Sequence, residues 1–341
     1  MGSVTILSTI RNIEKTATPF IRSIINQTYS DYEILLIDAC STDNTLSLLD
    51  EELSNCSIPY KIIELESNQP QALNYPISNS LIESDYVALI DGDCIANPDW
   101  LSSLVKTIKK TGSDAVGGPG FTPTNASFLQ KIIGVDLDAR FKLTSEGVVN
   151  RHPNMNLLVK REVLEKIPFD ETMDVAYDTD FGYRATSIGF QIYFTNKPVV
   201  YHHHRSTLKS YCKQQIKSAE FAFHLYLKGK ASKKGDNVNP WWMLYQLPIF
   251  LLTTISLMLS FHPILFIVPL MCLAVLTSLF LFGALESYKI TKKKLAFLLP
   301  ALFIARNLLW VVGLRQALIK NIHSKIKGDA PPPKRRAREQ L

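Results

Sequence analysis

Cysteine is scarce in this chain, which has five cysteines among its 341 residues and no pair with C-x-x-C spacing. A small, odd number of widely separated cysteines does not suit a disulfide framework. Structural zinc sites need clustered cysteine and histidine ligands, and this pattern does not supply them. The cysteine content therefore argues against a disulfide-stapled secreted domain and a zinc module, and it favours a reducing compartment.

The first residues lack the pattern of a secretory signal peptide. No basic region followed by an apolar core is present, because the chain moves at Val4 directly into a β-branched stretch. Signal peptides need both features. We therefore expect no cleaved secretory signal at this end.

Acidic residues are sparse in the C-terminal part of the chain. Carboxylates concentrate before Asp180, whereas Lys and Arg dominate after Arg205, so the formal net charge of +6 arises late in the sequence. This basic excess borders long apolar stretches. It therefore favours contact with an anionic membrane surface over binding of nucleic acid.

Strand and helix patterns alternate over the first 205 residues. Alternation at this spacing predicts a parallel, right-handed α/β sheet. Short apolar runs with β-branched residues predict strands at 4–9, 32–38, 60–65, 86–90, 115–120, 156–159, 191–195 and 198–201. Helices are predicted at 16–27, 45–53, 70–82, 98–110, 160–166 and 177–189.

The triplet Asp91-Gly92-Asp93 directly follows the apolar run 87–90. Open α/β sheets bind ligands at the carboxyl ends of their strands. Two carboxylates at such a strand end suit a hard divalent cation, which can in turn hold a diphosphate. The alternative is an ordinary Asp-Gly turn after a strand.

Apolar segments dominate the chain after residue 240. Runs at 243–261 and 263–285 contain no charge and are long enough to span a bilayer about 30 Å thick. Trp241 and Trp242 precede them and suit the headgroup level. Before these, the segment 208–227 mixes lysines with aromatic residues, which predicts either a helix in the membrane interface or an ordinary amphipathic surface helix.

A third apolar run, 295–314, carries Arg306 and Asn307 in its middle. A charge at membrane depth is costly, and a third span would place the basic tail outside the cell. We therefore expect two spans and an interfacial or re-entrant third segment. If the N-terminal α/β part is cytoplasmic, that arrangement returns the lysines at 289 and 292–294 to the cytoplasm.

These patterns divide the chain into four parts. They are a catalytic domain at 1–205, an interfacial helix and linker at 206–240, a membrane domain at 241–320, and a basic tail at 321–341 that is predicted to be disordered. Because the strand pattern is complete by His204, a fragment ending near residue 230 is expected to be soluble.

The order of the motifs over residues 3–205 resembles the family 2 glycosyltransferases, which have the GT-A fold. The resemblance rests on 23–38 with 41–45, on Asp91-Gly92-Asp93 at the position of the family's DxD, and on 156–162, 169–171, 178–184 and 189–190. It implies a mostly parallel nucleotide-diphospho-sugar transferase sheet with helices on both faces. The C-terminal part is similar to that of bacterial and archaeal members that build exopolysaccharides or charge lipid carriers.

The resemblance also implies donor-binding residues. Thr9 and Asp38 would line the base and ribose, and a carboxylate suits that place because it accepts hydrogen bonds from base N–H groups and ribose hydroxyls. The alternative for Asp38 is a turn residue before a helix. Asn74 matches an asparagine near the nucleotide, although Leu73 stands where the family commonly has arginine.

A metal site is implied at the DxD position. Asp91 would face the ribose or the sugar, and Asp93 would bind Mg²⁺ or Mn²⁺, which neutralises the leaving diphosphate. Among the three histidines at 202–204, His202 is the candidate for a further ligand because it directly follows a strand. The alternative is a loop of three partly exposed histidines.

Asp178 matches the family's catalytic base. An inverting transfer needs a carboxylate that takes the acceptor's proton while the acceptor oxygen attacks from the face opposite the nucleotide. Tyr177 departs from the family, which usually has Glu at this position. Asp180 is the second candidate, and the alternative for both is a helix N-terminus stabilised by two acidic residues.

The sequence thus predicts an inverting, metal-dependent glycosyltransferase in the cell membrane, with its catalytic domain in the cytoplasm. Its substrates would be a UDP- or GDP-sugar and a polyprenyl phosphate, a lipid-linked glycan or a polysaccharide. A nucleotidyltransferase is one alternative. Such an enzyme would normally need a glycine-rich phosphate loop after the first strand, and the segment 9–14 contains no glycine. A non-catalytic membrane scaffold is the other, and the presence of Asp38, Asp93 and Asp178 argues against it.

Overall fold

The computed structural model describes residues 3–227, 234–236 and 238–327. Its strands are β1 (Val4–Ile10), β2 (Tyr32–Asp38), β3 (Tyr60–Glu64), β4 (Tyr86–Leu89), β5 (Cys94–Ala96), β6 (Ala115–Gly117), β7 (Gly120–Phe121), β8 (Gly147–Val149), β9 (Leu157–Lys160), β10 (Ile192–Phe194) and β11 (Val200–His202). Its helices are α1 (Ala17–Ile25), α2 (Thr45–Leu53), α3 (Gln69–Ser78), α4 (Trp100–Thr111), α5 (Phe128–Leu143), α6 (Arg161–Lys166), α7 (Tyr177–Ser187), α8 (Leu208–Leu227), α9 (Trp241–Leu244), α10 (Gln246–Met258), α11 (Ile267–Thr291) and α12 (Leu299–Lys327).

The described residues form two compact units. The first contains the sheets, from 3–123 and 145–203, and the second contains 124–144 and the described residues from 204 onward. The sequence assigned 124–144 to the catalytic domain, but α5 packs within the helical second unit. Its Val135 is fully buried in a cluster with Trp242, Leu276 and Phe280. A local helical pattern does not reveal which distant surface the helix covers.

The first unit is built on an eight-stranded sheet with the order β3-β2-β1-β4-β9-β6-β10-β8. The expected mostly parallel α/β sheet is confirmed, with β1 pairing in parallel with both β2 and β4. Strand β9 differs, because it runs antiparallel to β4 and to β6. Its residues Leu157, Leu158 and Val159 are fully buried. A short run buried on both faces carries no sign of strand direction, so the sequence could not show this.

A second sheet has three short strands in the order β5-β11-β7. Strands β5 and β7 were not predicted, because two or three residues show no useful periodicity. The antiparallel pairing of β11 with β5 places His202 opposite Cys94 in the register. The small sheet thereby joins the segment after Asp93 to the histidine-containing segment.

The second unit contains three helical segments that are long and apolar enough to cross a membrane: Trp241–Met258, Ile264–Thr291 and Lys294–Asn321. How many of them span stays a prediction. Helix α12 continues to Lys327, so the first residues of the predicted disordered tail are helical. Between Gly313 and Gly328 the sequence contains no glycine or proline that would end the helix earlier. The rest of the predicted tail, 328–341, lies outside the described residues.

Helix α8 packs closely along α12. A Cβ atom on Gly313 would lie 2.2 Å from the carbonyl oxygen of Ile216, so only glycine permits this approach. The Trp310 indole donates to Gln215 Oε1 at 3.0 Å, and Lys320 Nζ lies 2.6 Å from Glu220 Oε1. One face of the predicted interfacial helix is therefore covered by protein, while its position in an interface remains a prediction.

Arg306 is buried inside the second unit, at 8% exposure. Its Nη2 donates to Gln246 Oε1 at 2.5 Å, and the guanidinium lies 4.6 Å from the centre of the Phe303 ring. These contacts offset part of the cost of burying the charge. Because the charge faces protein, Arg306 is a weaker argument against a third span than its sequence position suggested.

A fragment ending near residue 230 should not behave as the sequence predicted. It would keep α5 and α8 but lose α10, α11 and α12, which cover their apolar faces. We expect it to aggregate, as measured by size-exclusion chromatography and thermal unfolding. The matched control ends at residue 203 and has 124–144 replaced by a flexible linker, and it should be monodisperse. A monodisperse fragment that retains α5 and unfolds cooperatively would contradict this prediction.

Candidate functional site

The loops that follow β1 and β2 are joined at the carboxyl edge of the sheet. Asp38 is fully buried and accepts hydrogen bonds from the Ser41 backbone N–H at 2.8 Å and hydroxyl at 2.5 Å. Asn12 Oδ1 accepts from the Thr42 N–H at 2.8 Å. Thr9 is partly exposed beside this loop pair. Asp38 therefore stabilises the turn, and a further role of Thr9 and Asp38 in binding the donor stays a prediction.

The predicted acidic triplet lies in a tight turn after β4. A Cβ atom on Gly92 would lie 2.9 Å from side-chain atoms of both Ile10 and Ile13, so glycine is needed there. Asp91 Oδ1 accepts a hydrogen bond from Gln69 Nε2 at 3.2 Å. This bond ties the first carboxylate to the N-terminus of α3, a contact that the sequence did not suggest.

Asp93 and His202 lie side by side. His202 Nε2 is 3.4 Å from Asp93 Oδ1, and both side chains are partly exposed, at 22% and 28%. The backbone supports this pairing, because the His203 N–H donates to the Asp93 carbonyl oxygen at 2.9 Å. The structure thus brings together the two residues that the sequence selected as metal ligands.

Ligand atoms of Asp93, Cys94 and His202 all lie within 4.8 Å of one another. Cys94 is fully buried, and burial raises the pKa of its thiol well above the ordinary value, with Asp93 and Asp91 adding to the effect. The thiol stays protonated and is a poor ligand for a hard cation. The remaining carboxylate and imidazole fit Mn²⁺ better than Mg²⁺, because imidazole suits transition metals.

Asp178 lies in the first turn of α7. Its Oδ1 accepts a hydrogen bond from the Thr179 N–H at 2.7 Å, and Arg151 Nη1 donates to Thr179 Oγ1 at 2.9 Å. Although the residue is only half-buried, desolvation raises the pKa of the Asp178 carboxyl, while Arg151 opposes the shift. A carboxylate with a raised pKa is a stronger proton acceptor, which suits a general base.

Asp180 has a different task. Its side chain is fully buried, and its Oδ2 accepts from Arg184 Nε at 2.5 Å. Arg184 also donates to the Pro168 carbonyl oxygen at 2.8 Å, which anchors the segment before α7. The carboxylate is therefore paired with Arg184 and shielded from any substrate hydroxyl. The structure therefore argues against Asp180 as the alternative base.

Tyr177 links the metal and base candidates. Burial raises the pKa of its phenol well above the ordinary value, and the negative charges of Asp91, Asp178 and Asp93 raise it further. The phenol is therefore neutral, and the charges of all three carboxylates act on it. The sequence marked Tyr177 only as a departure from the family pattern, and no periodicity could have shown this surrounding.

Asn154 is a residue of this region that the sequence did not select. It is buried, at 4% exposure. Its amide lies near enough to lower the pKa of the Tyr177 phenol, but it forms no regular hydrogen bond. The residues that follow it matched the family pattern, whereas Asn154 itself carried no signal in the sequence.

The Asn74 amide is hydrogen-bonded within the protein on both its nitrogen and its oxygen. Its Nδ2 donates to the Phe169 carbonyl oxygen at 2.9 Å and to Glu171 Oε1 at 3.0 Å. Its Oδ1 accepts from the Phe169 N–H at 2.9 Å. The amide is thus occupied in holding the loop that leads to α7, and no donor N–H remains for a nucleotide.

Asn74→Ala is expected to destabilise the protein by about 2–4 kcal/mol, because it leaves buried backbone groups of Phe169 unpaired. Affinity for a nucleoside diphosphate should stay within about twofold of the original, a change under 0.5 kcal/mol. Thermal unfolding and calorimetry of the full chain in detergent would measure both. Asn79→Ala, at the exposed end of the same helix, is the matched control. Lost affinity at unchanged stability would restore the donor-binding assignment.

Comparison with known proteins agrees with this geometry. The model described as Glycosyl transferase family 2 matches residues 5–166, and the model described as Glycosyl transferase family group 2 matches residues 86–312. The second match covers more than half of the chain. The chain therefore belongs to the family 2 glycosyltransferases.

Individual relatives come from archaea and bacteria. Glycosyltransferase AglE of Haloferax volcanii is 28% identical over 208 residues, which are 58% of this chain and 66% of that protein. The putative glycosyltransferase EpsE of Bacillus subtilis is 33% identical over 119 residues, 34% of this chain and 42% of that protein. The matches thus span less than two thirds of these relatives' own lengths.

Solved structures show the same fold. The mannosyltransferase PcManGT from Pyrobaculum calidifontis, in complex with GDP-Man and Mn²⁺, aligns with a TM-score of 0.56 and 16% identity over 94% of this chain and 88% of that chain. Residues 1–349 of S. aureus TarS, in complex with UDP-GlcNAc, align with a TM-score of 0.51 and 15% identity over 96% and 92%. These likenesses confirm the GT-A fold.

Proposed function

We propose that this protein is an inverting, metal-dependent glycosyltransferase that moves a sugar from a UDP- or GDP-sugar to a lipid-linked or polysaccharide acceptor at the membrane. The observation that carries the proposal is the 3.4 Å approach of His202 Nε2 to Asp93 Oδ1. Two further carboxylates have roles in the proposal: Asp91, which accepts a hydrogen bond from Gln69 Nε2, and Asp178, in the first turn of α7. Bound GDP-Man and UDP-GlcNAc in proteins of the same fold support a nucleotide-sugar donor.

Different residues of the chain have different roles in the proposed reaction. Asp93 and His202 would hold Mn²⁺, whose charge neutralises the leaving diphosphate. Asp91, which accepts a hydrogen bond from Gln69, would also accept hydrogen bonds from hydroxyls of the donor. Asp178 takes the proton from the acceptor hydroxyl as its oxygen attacks the sugar carbon opposite the nucleotide.

The membrane part supports an acceptor at a lipid surface. Three helical segments are long and apolar enough to span, and their exposed apolar side chains include Leu270 and Leu281. Lysines at 289 and 292–294 lie where the second segment ends and the third begins, which favours a cytoplasmic position for that end and for the catalytic unit. Anchoring there raises the effective concentration of a membrane-bound acceptor.

The test is incubation of the full-length protein with UDP-, GDP- and dTDP-sugars, Mn²⁺ and membrane-lipid acceptors. Release of nucleoside diphosphate with a glycosylated acceptor supports the proposal. Release of pyrophosphate would instead identify a nucleotidyltransferase. Absence of either product with every donor and acceptor would favour a non-catalytic membrane scaffold. Thermal stabilisation by one of the three donor series would identify the nucleotide base of the donor.

A further inference from the structure

A cavity of about 230 Å³ lies within the second unit, between α5, the residues at 236 and 240–242, and the end of α11. None of its lining residues is among those placed in the candidate active site. Trp241 begins the first candidate span, and Glu286 is near the end of the second, five residues before Thr291. Tryptophans and helix ends of this kind lie at the level of lipid headgroups.

Charges in the cavity wall are unevenly compensated. The Arg140 guanidinium is paired with Asp136 and also donates to the Val238 carbonyl oxygen at 3.0 Å. Glu286 is half-buried and forms no hydrogen bond or ion pair with any residue in the described ranges. Partial burial makes an unpaired carboxylate costly in free energy, and a cationic partner offsets that cost. The free charge in this wall therefore favours a ligand with a cation.

Aromatic side chains form another part of the wall. Trp241 is 51% exposed, and its ring centre lies 5.9 Å from that of Phe282. Trp242 is 2% exposed, and its Nε1–H has no acceptor among the described residues. Indole faces attract ammonium groups, and a buried indole N–H costs free energy unless it finds an acceptor. The wall thus suits an ammonium group near an anionic oxygen.

We propose that this cavity binds the headgroup of a phosphoethanolamine lipid. The primary ammonium donates to the Glu286 carboxylate beside the Trp241 ring, and a phosphate oxygen accepts from the Trp242 indole. The cavity is large enough for a headgroup and smaller than the roughly 300 Å³ or more of sites for larger ligands. Leu143, exposed at 46%, offers apolar surface next to it. This lipid is a bound component of the membrane unit and is not glycosylated.

The direct test measures lipid binding to the full-length protein by native mass spectrometry. Phosphatidylethanolamine, phosphatidylcholine and phosphatidylglycerol with identical acyl chains are compared. The ethanolamine lipid should bind at least about tenfold more tightly, because only its headgroup donates charged hydrogen bonds to Glu286. Equal affinity for the three lipids would overturn the proposal.

Two substitutions test the two contacts. Glu286→Gln keeps the size of the side chain and should weaken binding of phosphatidylethanolamine about tenfold, whereas Trp242→Phe should weaken it about threefold or more. Glu162→Gln, on the exposed side of α6, changes the net charge equally and should have no effect. Unchanged binding in Glu286→Gln, with unfolding temperatures equal to those of the control, would overturn the proposal.

The alternative ligand for this cavity is a soluble metabolite that carries the same headgroup as the lipid. O-Phosphoethanolamine lacks acyl chains and should not displace the lipid even at millimolar concentration, because the chains supply most of the binding free energy. Displacement at micromolar concentration would identify the ligand as a soluble compound and would overturn the assignment to a lipid.

Discussion

Asp178→Asn is expected to lower turnover by about 100-fold or more while leaving the affinity for the nucleotide sugar nearly unchanged. The substitution keeps the shape of the side chain and its acceptor oxygen for the Thr179 N–H, but it removes the basic oxygen. Desolvation raises the pKa of this carboxyl, which makes the native side chain a stronger base than an ordinary aspartate. Steady-state turnover and calorimetric donor binding measure the two effects separately.

The raised pKa also predicts the pH dependence. The base acts when ionised, so the acidic limb of the activity profile should lie above the ordinary value of 3.8. Between the unfolded and folded pKa values, the folded state binds more protons, so this group's contribution to stability falls as the pH rises through the folded pKa. Asp178→Asn removes the cost of ionising this carboxyl in the folded state. The variant should therefore unfold at an equal or higher temperature at neutral pH.

The matched control for Asp178→Asn is Asp174→Asn, an exposed position four residues earlier that keeps an acceptor oxygen for Asn68. The control should retain near-normal turnover. Near-normal turnover in Asp178→Asn as well would reject Asp178 as the base. It would instead indicate an acceptor that is already ionised, such as a phosphate.

Asp93→Asn is expected to abolish metal-dependent donor binding, with a loss of affinity of at least about 100-fold in the presence of Mn²⁺. An amide oxygen carries no net charge and binds a divalent cation weakly. The partly exposed side chain is not part of the core, so the unfolding temperature should change little. Calorimetry with a nucleoside diphosphate, with and without Mn²⁺, measures the loss. Equal affinity in the variant and the original would refute the metal site.

His202 and His203 form a matched pair for the same site. His202→Gln should weaken Mn²⁺-dependent binding by about tenfold and reduce the preference for Mn²⁺ over Mg²⁺, because imidazole contributes mainly to transition-metal affinity. His203→Gln keeps the backbone hydrogen bond to Asp93 and should leave that preference intact. An unchanged preference for Mn²⁺ in His202→Gln would show that His202 is not a ligand.

Much of the first unit could be predicted from local patterns. Strand β2 has the predicted bounds, and β1 and β4 differ from their predictions by a single residue at one end. These strands are continuous apolar runs, because both faces of a parallel sheet are covered. The acidic triplet after β4 could be placed for the same reason, since a strand end defines where the following polar residues lie.

The neighbours of the site residues could not be predicted. Asp93 and His202 are 109 positions apart in the printed sequence, and the short β5–β11 pairing that joins them shows no periodicity. Asn74 matched a family position, yet its amide is bonded to a loop about 95 residues away. Hydrogen-bond partners of this kind depend on how distant segments meet.

By itself, the sequence determined the α/β class, the order of the main elements, the acidic strand end and the apolar C-terminal segments. Each depends on residues that are close in the chain, so composition and periodicity are sufficient. Only the tertiary structure decided the direction of β9, the packing of α5 among the C-terminal helices, and the partners of Asp180 and Arg306. These features depend on contacts between remote segments, and the free energy of such contacts is set by packing and pairing that no local pattern encodes.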